Sequence, residues 1–278
     1  MIMTYKLDSF GINRPITAVS HRDDEYQEAE FKTLLEMQDR HFWYVGRHKF
    51  LLGCLKKYLK QSHKNLIDLG GGVGGWIKYL IDRFPFGFEE IALGDSSNVA
   101  LMGAKTVLPD SISFYQVDLM ATHWREKWDV IFLLDVIEHC PDDEAILNQV
   151  FEALKPGGLL IVSTPALMYF WSYNDEFAKH LRRYNISDYE RLAGLTGFKL
   201  LDARYFMFFL SPLYWLSRKS KTKGLSKVEI KASIEKKHQV PRFPINYLLS
   251  KIFSAETPLG HHLKFPWGTS VLGVFQKL

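Results

Sequence analysis

The residue types best suited to chemistry are an acid and five glycines in residues 68–75, Asp-Leu-Gly-Gly-Gly-Val-Gly-Gly. Glycines lack Cβ atoms, so their backbone N–H groups can lie directly against a nucleotide. Gly70, Gly72 and Gly75 satisfy the Gly-x-Gly-x-x-Gly spacing, and a dinucleotide site must therefore be considered. Asp68 would sit badly beside a pyrophosphate, but it suits a ligand that carries an ammonium group and no phosphate.

These glycines need a strand before them and a helix after them. Residues 65–69 contain the short apolar run of a buried parallel strand, and residues 76–81 take up helical spacing. Asp95 ends the next apolar run, 20 residues past Gly75, where nucleotide-binding folds place a carboxylate on ribose hydroxyls. The alternative for Asp95 is a turn and helix cap.

Two segments carry a family resemblance. Residues 68–74 resemble the first motif of class I S-adenosylmethionine-dependent methyltransferases, and Leu-Lys-Pro-Gly-Gly at 154–158, followed by an apolar strand, resembles the same class. The second segment is not expected at this place in a nicotinamide dehydrogenase. Residues 169–184 resemble more loosely a segment of bacterial type 11/12 or ubiquinone-type methyltransferases. The resemblance implies methyl transfer (EC 2.1.1.-) with S-adenosyl-L-methionine as the cofactor.

The resemblance also implies a set of cofactor contacts. An acid such as Asp118 accepts from the adenine amino group in the family, although a plain strand-end turn is the alternative here. Similar aromatic and basic patches precede the glycine motif in many bacterial methyltransferases, so residues 40–48 are interpreted as a lid over the cofactor in which Arg47 or Arg40 meets a carboxylate. Its alternative is a set of core anchors for an N-terminal helix pair. The expected cofactor-binding residues are Trp43, Arg47, Asp68, Gly70, Gly71, Gly72, Asp95, Ser96, Asp118, Leu119, Leu134 and Asp135.

Candidate catalytic and substrate-binding residues follow the fourth and fifth buried strands. His139 lies close in sequence to the expected methionine-binding edge, and a histidine titrates near neutral pH. Its alternative is a capping or adenosine-pocket role. Residues 169–184 combine aromatic, histidine and arginine side chains in one loop, which is typical of substrate contact. The predicted catalytic residues are His139, His180 and Tyr184, and the predicted substrate-binding residues are Tyr44, Trp171, Tyr173, Arg182 and Arg183.

Two alternatives limit these assignments. Arg182 and Arg183 could instead pair with nearby acids and pin the loop, the candidate partners being Asp175, Glu176 and Asp188. The pair Glu138-His139 has no second histidine or cysteine at ligand spacing, so we expect a metal-free reaction.

The order of apolar runs predicts an α/β, doubly wound, Rossmann-like fold. The resemblance implies a seven-stranded sheet, with six parallel strands and a last strand inserted antiparallel between the fifth and sixth. We expect a helical lid region at 1–60, the cofactor-binding domain at 61–204, a helical basic and aromatic insertion at 205–267, and the last strand at 268–278. Residues 1–24 show little periodicity and are expected to be a flexible lead-in.

The charge and composition of the chain limit which partner molecules we expect it to bind. The net charge of +4 is too mild to indicate nucleic acid, and two cysteines without ligand spacing fit a reducing cytoplasm. Residues 217–242 carry nine Lys or Arg against two Glu, after an aromatic segment. This pattern is typical either of peripheral contact of residues 205–242 with an anionic membrane or of a core helix followed by a solvated loop. The sequence leaves the oligomeric state open.

The predicted function is O-methylation of a small-molecule, glycosyl or lipid-linked acceptor. The alternatives are an NAD-dependent oxidoreductase that uses the glycine turn, and a non-catalytic membrane-surface binding protein that retains the methyltransferase fold.

Overall fold

The computed structural model describes residues 5–19, 31–85, 87–219 and 239–278. Within them a nine-stranded sheet is formed by Tyr5–Leu7 (β1), Ile12–Pro15 (β2), Asn65–Leu69 (β3), Glu90–Asp95 (β4), Ser113–Gln116 (β5), Trp128–Leu134 (β6), Leu154–Pro165 (β7), Lys199–Phe206 (β8) and Ser270–Gln276 (β9). The strand order is β1-β2-β5-β4-β3-β6-β7-β9-β8.

Helices cover the sheet. They are Phe31–Arg40 (α1), Phe42–Tyr58 (α2), Gly75–Arg83 (α3), Asn98–Lys105 (α4), Asp143–Ala153 (α5), Tyr173–Phe177 (α6), Ile186–Thr196 (α7), Ser211–Lys219 (α8) and Ile245–His262 (α9). Two short 3-10 helices, Ile137–His139 and Met168–Phe170, follow β6 and β7.

The central strand β6 shows why the sheet is covered on both faces. All seven of its residues are buried, and successive side chains of a strand point to opposite faces. Phe132 packs in one apolar cluster with Phe50 of α2 and Phe253 of α9. Ile131 packs in a second cluster with Leu147 of α5. The predicted doubly wound α/β arrangement is therefore confirmed.

The last strand β9 lies between β7 and β8 and runs antiparallel to both. This placement confirms the predicted inserted strand. The strand β7 begins earlier than expected, at Leu154 rather than after a turn at 154–158, and a register shift against β6 absorbs the Pro-Gly-Gly segment.

The prediction of seven strands is wrong, because β1 and β2 add to the sheet before the first helix. β2 pairs in parallel with β5, and β1 pairs antiparallel with β2. Arg14 of β2 donates to Gln116 at 2.6 Å and to Asn98 at 2.7 Å. Residues 5–15 are thus not a lead-in. Short strands fixed by polar contacts have no apolar alternation, and periodicity did not reveal them.

The region after β8 is helical where it is described. The domain boundaries themselves stay predictions. α9 packs on α2 so closely that a Cβ at Gly46 would lie 2.2 Å from the Phe253 ring. Most of the basic stretch at 217–242 falls on residues 220–238, outside the described residues. Among the described helices, none has both the length and the apolar character needed to cross a membrane.

Candidate active site

The glycine loop leaves β3 at the carboxyl edge of the sheet and enters α3. Gly70, Gly72 and Gly74 have φ values of 71°, 55° and 82°, in the left-handed region that favours glycine. The Gly70 N–H donates to the Gly94 carbonyl at 2.7 Å, which ties the loop to β4. Gly74 is the N-cap of α3, which begins at Gly75. The sequence therefore builds the side-chain-free turn that a nucleotide site needs.

Asp95 ends β4 directly beside this loop. Its carboxylate accepts from the Gly72 N–H at 2.9 Å and from the Ser97 N–H at 2.8 Å, and the side chain is buried. Ser97 in turn accepts from the Ala100 N–H at 3.1 Å and caps α4. Asp95 thus holds the glycine loop and the helix start together. The ribose role of Asp95 and Ser96 stays a prediction, and the geometry places this acid at the mouth of the loop.

Asp68 is a buried acid beneath the same loop. A Cβ at Gly71 would lie 2.7 Å from the Asp68 Oδ2 atom, and Asp68 Oδ1 has no hydrogen-bond partner among the described residues. Burial raises the pKa of Asp68 from 3.8 to about 8, which the neighbouring Asp95 reinforces and Arg47 opposes. An unpartnered buried carboxylate oxygen fits the ammonium group of S-adenosylmethionine. The residues present therefore fit this cofactor.

The raised pKa of Asp68 predicts proton release when an ammonium ligand binds. Near pH 7 the free protein keeps this carboxyl protonated, because its pKa is about 8. An ammonium group stabilises the ionised form, so binding of S-adenosylhomocysteine should release about one proton. Calorimetry in two buffers of different ionisation enthalpy measures that number. In Asp68→Asn the release should disappear.

The raised pKa of Asp68 also determines how its contribution to the stability of the fold changes with pH. Between about pH 4 and pH 8 the folded protein binds a proton at Asp68 that the unfolded chain has lost, so this group's contribution to stability falls as pH rises. Equal proton release in the wild type and in Asp68→Asn would contradict the assignment of Asp68 to the ammonium group.

Arg47 connects α2 to the end of β6. Its guanidinium makes a close ion pair with Asp135, and lies 4.8 Å from the Trp43 ring centre and 5.5 Å from that of Tyr44. Asp135 has a φ of 58°, a strained backbone of the kind found at functional sites. Arg47 Nε has no hydrogen-bond partner among the described residues. Arg47 thus meets a carboxylate of the protein, and that nitrogen stays available for a ligand.

The residues expected to contact the adenine ring form a turn. Asp118 accepts from the Met120 N–H at 2.9 Å, as in the alternative of a plain strand-end turn. Leu119 and Leu134 lie at the same carboxyl edge, after β5 and at the end of β6. The adenine contacts of Asp118 and Leu119, like the cofactor contact of Leu134, stay predictions.

The loop after β7 is fixed against the exit of β6. The Leu181 N–H donates to the Glu138 carbonyl at 2.8 Å, and the Tyr184 N–H donates to the Pro165 carbonyl at 3.0 Å. These bonds bring the His180 ring to 4.8 Å from the His139 ring, measured between ring centres. The two predicted catalytic histidines, 41 positions apart in the sequence, are therefore neighbours in the fold.

Asp175 is the anchor of this loop. It is 1% exposed and accepts from Arg183 Nε at 2.8 Å, and it bonds His180 Nδ1 at 2.9 Å. Arg183 also donates to the Ala166 carbonyl at 3.0 Å and to the Tyr214 hydroxyl at 3.1 Å. These contacts favour the loop-pinning alternative for Arg183. Sequence reasoning considered Asp175 only as an arginine partner and missed its contact with His180.

Tyr184, a predicted catalytic residue, and Arg182, a predicted substrate-binding residue, also hold this loop in place. Tyr184 donates to Asp143 at 2.8 Å, and burial together with this acid raises the pKa of the Tyr184 phenol far above its usual range. This environment opposes a role for Tyr184 as a proton acceptor. Arg182 lies 3.1 Å from the same Asp143 carboxylate. Both residues join the loop to the start of α5.

The three aromatic residues predicted to bind the substrate lie in two separate parts of the fold. Trp171 and Tyr173 are half-buried at the start of α6, and Tyr44 of α2 lies edge-on to Trp43 with ring centres 4.8 Å apart. Burial raises the pKa of the Tyr44 phenol. Substrate binding by these three residues stays a prediction.

The fold, the glycine loop and the acids around it define a class I S-adenosylmethionine-dependent methyltransferase. Residues 40–203, more than half of the chain, match a family model described as a methyltransferase domain, and the chain belongs to this family. The family match does not support the dehydrogenase interpretation of the Gly-x-Gly-x-x-Gly spacing.

Known relatives share this domain over part of their length. Phosphoethanolamine N-methyltransferase 2 of Caenorhabditis elegans is 26% identical over 147 residues, 49% of this chain but only 32% of that protein. Ubiquinone biosynthesis O-methyltransferase of Psychrobacter arcticus is 27% identical over 176 residues, 56% of this chain and 67% of that protein. Haemonchus contortus phosphoethanolamine N-methyltransferase 2, solved with S-adenosyl-L-methionine, has a similar fold, with a TM-score of 0.59 and 17% identity over 95% of this chain and 61% of that one.

Proposed function

We propose that the protein transfers a methyl group from S-adenosylmethionine to an oxygen atom of a small-molecule, glycosyl or lipid-linked acceptor. One observation carries the choice of oxygen: the His139–His180 pair, in which Asp175 holds His180 Nδ1 at 2.9 Å. A hydroxyl acceptor must lose its proton, and a histidine ordered by a carboxylate is suited to take it.

The division of work among the residues follows from their positions. When bound, the cofactor supplies an electrophilic methyl group. Asp68 would hold its ammonium group, Asp95 its ribose, and Arg47 its carboxylate. His139 and His180 would orient the acceptor hydroxyl and receive its proton. Alignment of this kind can lower the barrier by roughly 7–11 kcal/mol, so binding and orientation supply most of the catalysis.

The acceptor class is inferred from the surroundings of this pair. Trp171 and Tyr173 would provide flat surfaces for an aromatic or glycosyl group. Helix α8 contacts Arg183 through Tyr214. Its Leu213 and Leu216 are 51% and 61% exposed, which supports a lipid-linked acceptor. Contact of residues 205–242 with a membrane surface belongs to this proposal. The related proteins act, by their names, on nitrogen or on oxygen, so the transfer itself must be tested.

The test follows a labelled methyl group from S-adenosylmethionine into a small-molecule and lipid extract. We expect an O-methylated product, and we expect His139→Asn to lower turnover by about 10²- to 10⁴-fold, the usual contribution of a proton-transfer group. S-adenosylhomocysteine affinity should stay near that of the wild type. His123→Asn, at an exposed position, is the matched control. Label found only in N-methylated products, or unchanged turnover in His139→Asn, would contradict the proposal.

A further inference from the structure

Three possible metal ligands meet where β6 and β7 end. Glu138 and His139 lie on the 3-10 helix Ile137–His139, and His180 comes from the loop after β7. Each offers one ligand atom, and these atoms all lie within 4.8 Å of one another. The bond from the Leu181 N–H to the Glu138 carbonyl fixes the loop at this place. The meeting of the three side chains is thus built into the backbone.

Within the described part of the chain, Glu138 is buried without a hydrogen-bond partner for its side chain. Its side chain is 0% exposed, and neither carboxylate oxygen has a hydrogen-bond partner among the described residues. The nearby arginines are engaged with other acids, Arg47 with Asp135 and Arg183 with Asp175. A buried carboxylate without a partner is costly. A cation at this point would offset that cost.

His180 has the orientation expected of a metal ligand. Its Nδ1 atom bonds the buried carboxylate of Asp175 at 2.9 Å, which leaves Nε2 as the atom that a ligand would meet. Histidines that bind metals commonly place the other ring nitrogen on a carboxylate in this way, and the contact fixes both the tautomer and the ring orientation.

We infer that Glu138, His139 and His180 form a site for a divalent transition-metal ion, with Asp175 positioning His180. Two histidines and one carboxylate are the ligands of catalytic zinc sites and of some non-haem iron sites, which keep positions open for other ligands. Ligand atoms about 2.1 Å from a metal lie at most about 4.2 Å apart, so a small side-chain movement closes the site. The expectation of a metal-free reaction considered only local spacing, and it could not include His180.

A metal ion at this site could take part in the methyl transfer. An ion held by three protein ligands could bind the acceptor oxygen at an open position and lower the pKa of its hydroxyl. In that case the ion, rather than the two histidine rings, would activate the hydroxyl, and the proton would leave to solvent. That role rests on the proposed function, whereas metal binding itself does not.

The experiment titrates untagged, chelator-treated protein with Zn²⁺, and separately with Mn²⁺, by calorimetry. We expect one ion per chain for at least one of these metals, and a rise in melting temperature when it is present. Glu138→Gln and His180→Ala should each weaken binding by about tenfold or more, since loss of an outer contact alone costs about that much. His262→Ala, at an exposed histidine of α9, should bind as the wild type does.

The uncharged Glu138→Gln variant separates a loss of metal binding from a loss of folding. Without metal it should melt near the wild-type temperature, because an amide of similar size replaces a buried carboxyl that has no hydrogen-bond partner within the described residues. With metal its melting temperature should not rise. Overturning results are no binding by the wild type, or equal binding by the wild type and Glu138→Gln. Metal binding without O-methyl transfer would contradict the proposed function and leave the metal site supported.

Discussion

Replacing Asp95 by Ala should raise the dissociation constant of S-adenosylhomocysteine by about tenfold or more. The wild-type carboxylate accepts from the Gly72 and Ser97 N–H groups at 2.9 and 2.8 Å. The variant loses both contacts, and with them the acceptor proposed for the ribose hydroxyls. A hydrogen bond to a charged group contributes about 1.5–3 kcal/mol, which corresponds to roughly tenfold or more in affinity. Isothermal calorimetry measures the change directly.

The control for this variant is Asp110→Ala, at an exposed position before β5. It should leave the affinity unchanged. Asp95→Asn should fall between the two, since an amide oxygen still accepts but carries no charge. If Asp95→Ala binds S-adenosylhomocysteine as tightly as the wild type does, Asp95 has no part in ribose binding.

Asp175→Ala should cause the largest loss of stability that we predict, about 3–5 kcal/mol in the free energy of unfolding. The substitution leaves the buried guanidinium of Arg183 without its acid and releases His180. Hydrogen bonds from His180 and Arg183, with the positive charge of Arg183, lower the pKa of Asp175 to about 2 against the effect of burial. Urea denaturation followed by circular dichroism measures the loss.

The pKa of Asp175 also fixes how this contribution depends on pH. Because the folded-state pKa is lowered, the stabilisation is present above about pH 4 and is lost as pH falls toward 2. Asp142→Ala is the matched control, since Asp142 is an exposed helix cap whose loss typically costs about 1 kcal/mol. A loss in Asp175→Ala no greater than that in Asp142→Ala would show that the ion pair does not hold the loop.

The sequence was most informative where local chemistry determines the structure. The strand before Gly70 and the helix after Gly74 follow from an apolar run, a glycine turn and helical spacing. β6 was predictable because a strand buried on both faces needs a continuous apolar run. The antiparallel position of β9 came from the family resemblance rather than from its residues, which would suit any buried strand.

The remaining features depend on contacts between distant parts of the chain. β1 and β2 are only three and four residues long, and polar side chains add to their pairing with the sheet, so no hydrophobic period marks them. The pairing of Arg47 with Asp135 and the approach of His180 to His139 each require the folded sheet edge. Glu138 was considered in the sequence only as a neighbour of His139, and its burial without a hydrogen-bond partner among the residues that the structure describes appears only in the fold.

The most direct test of the central claim is calorimetric titration of the wild-type protein with S-adenosylhomocysteine and, in parallel, with NAD⁺. The account predicts saturable binding of S-adenosylhomocysteine at one site per chain, lost in the Asp68→Ala/Asp95→Ala double variant, and much weaker or no binding of NAD⁺. Binding of NAD⁺ in preference to S-adenosylhomocysteine would contradict it, as would S-adenosylhomocysteine affinity that survives the loss of both acids.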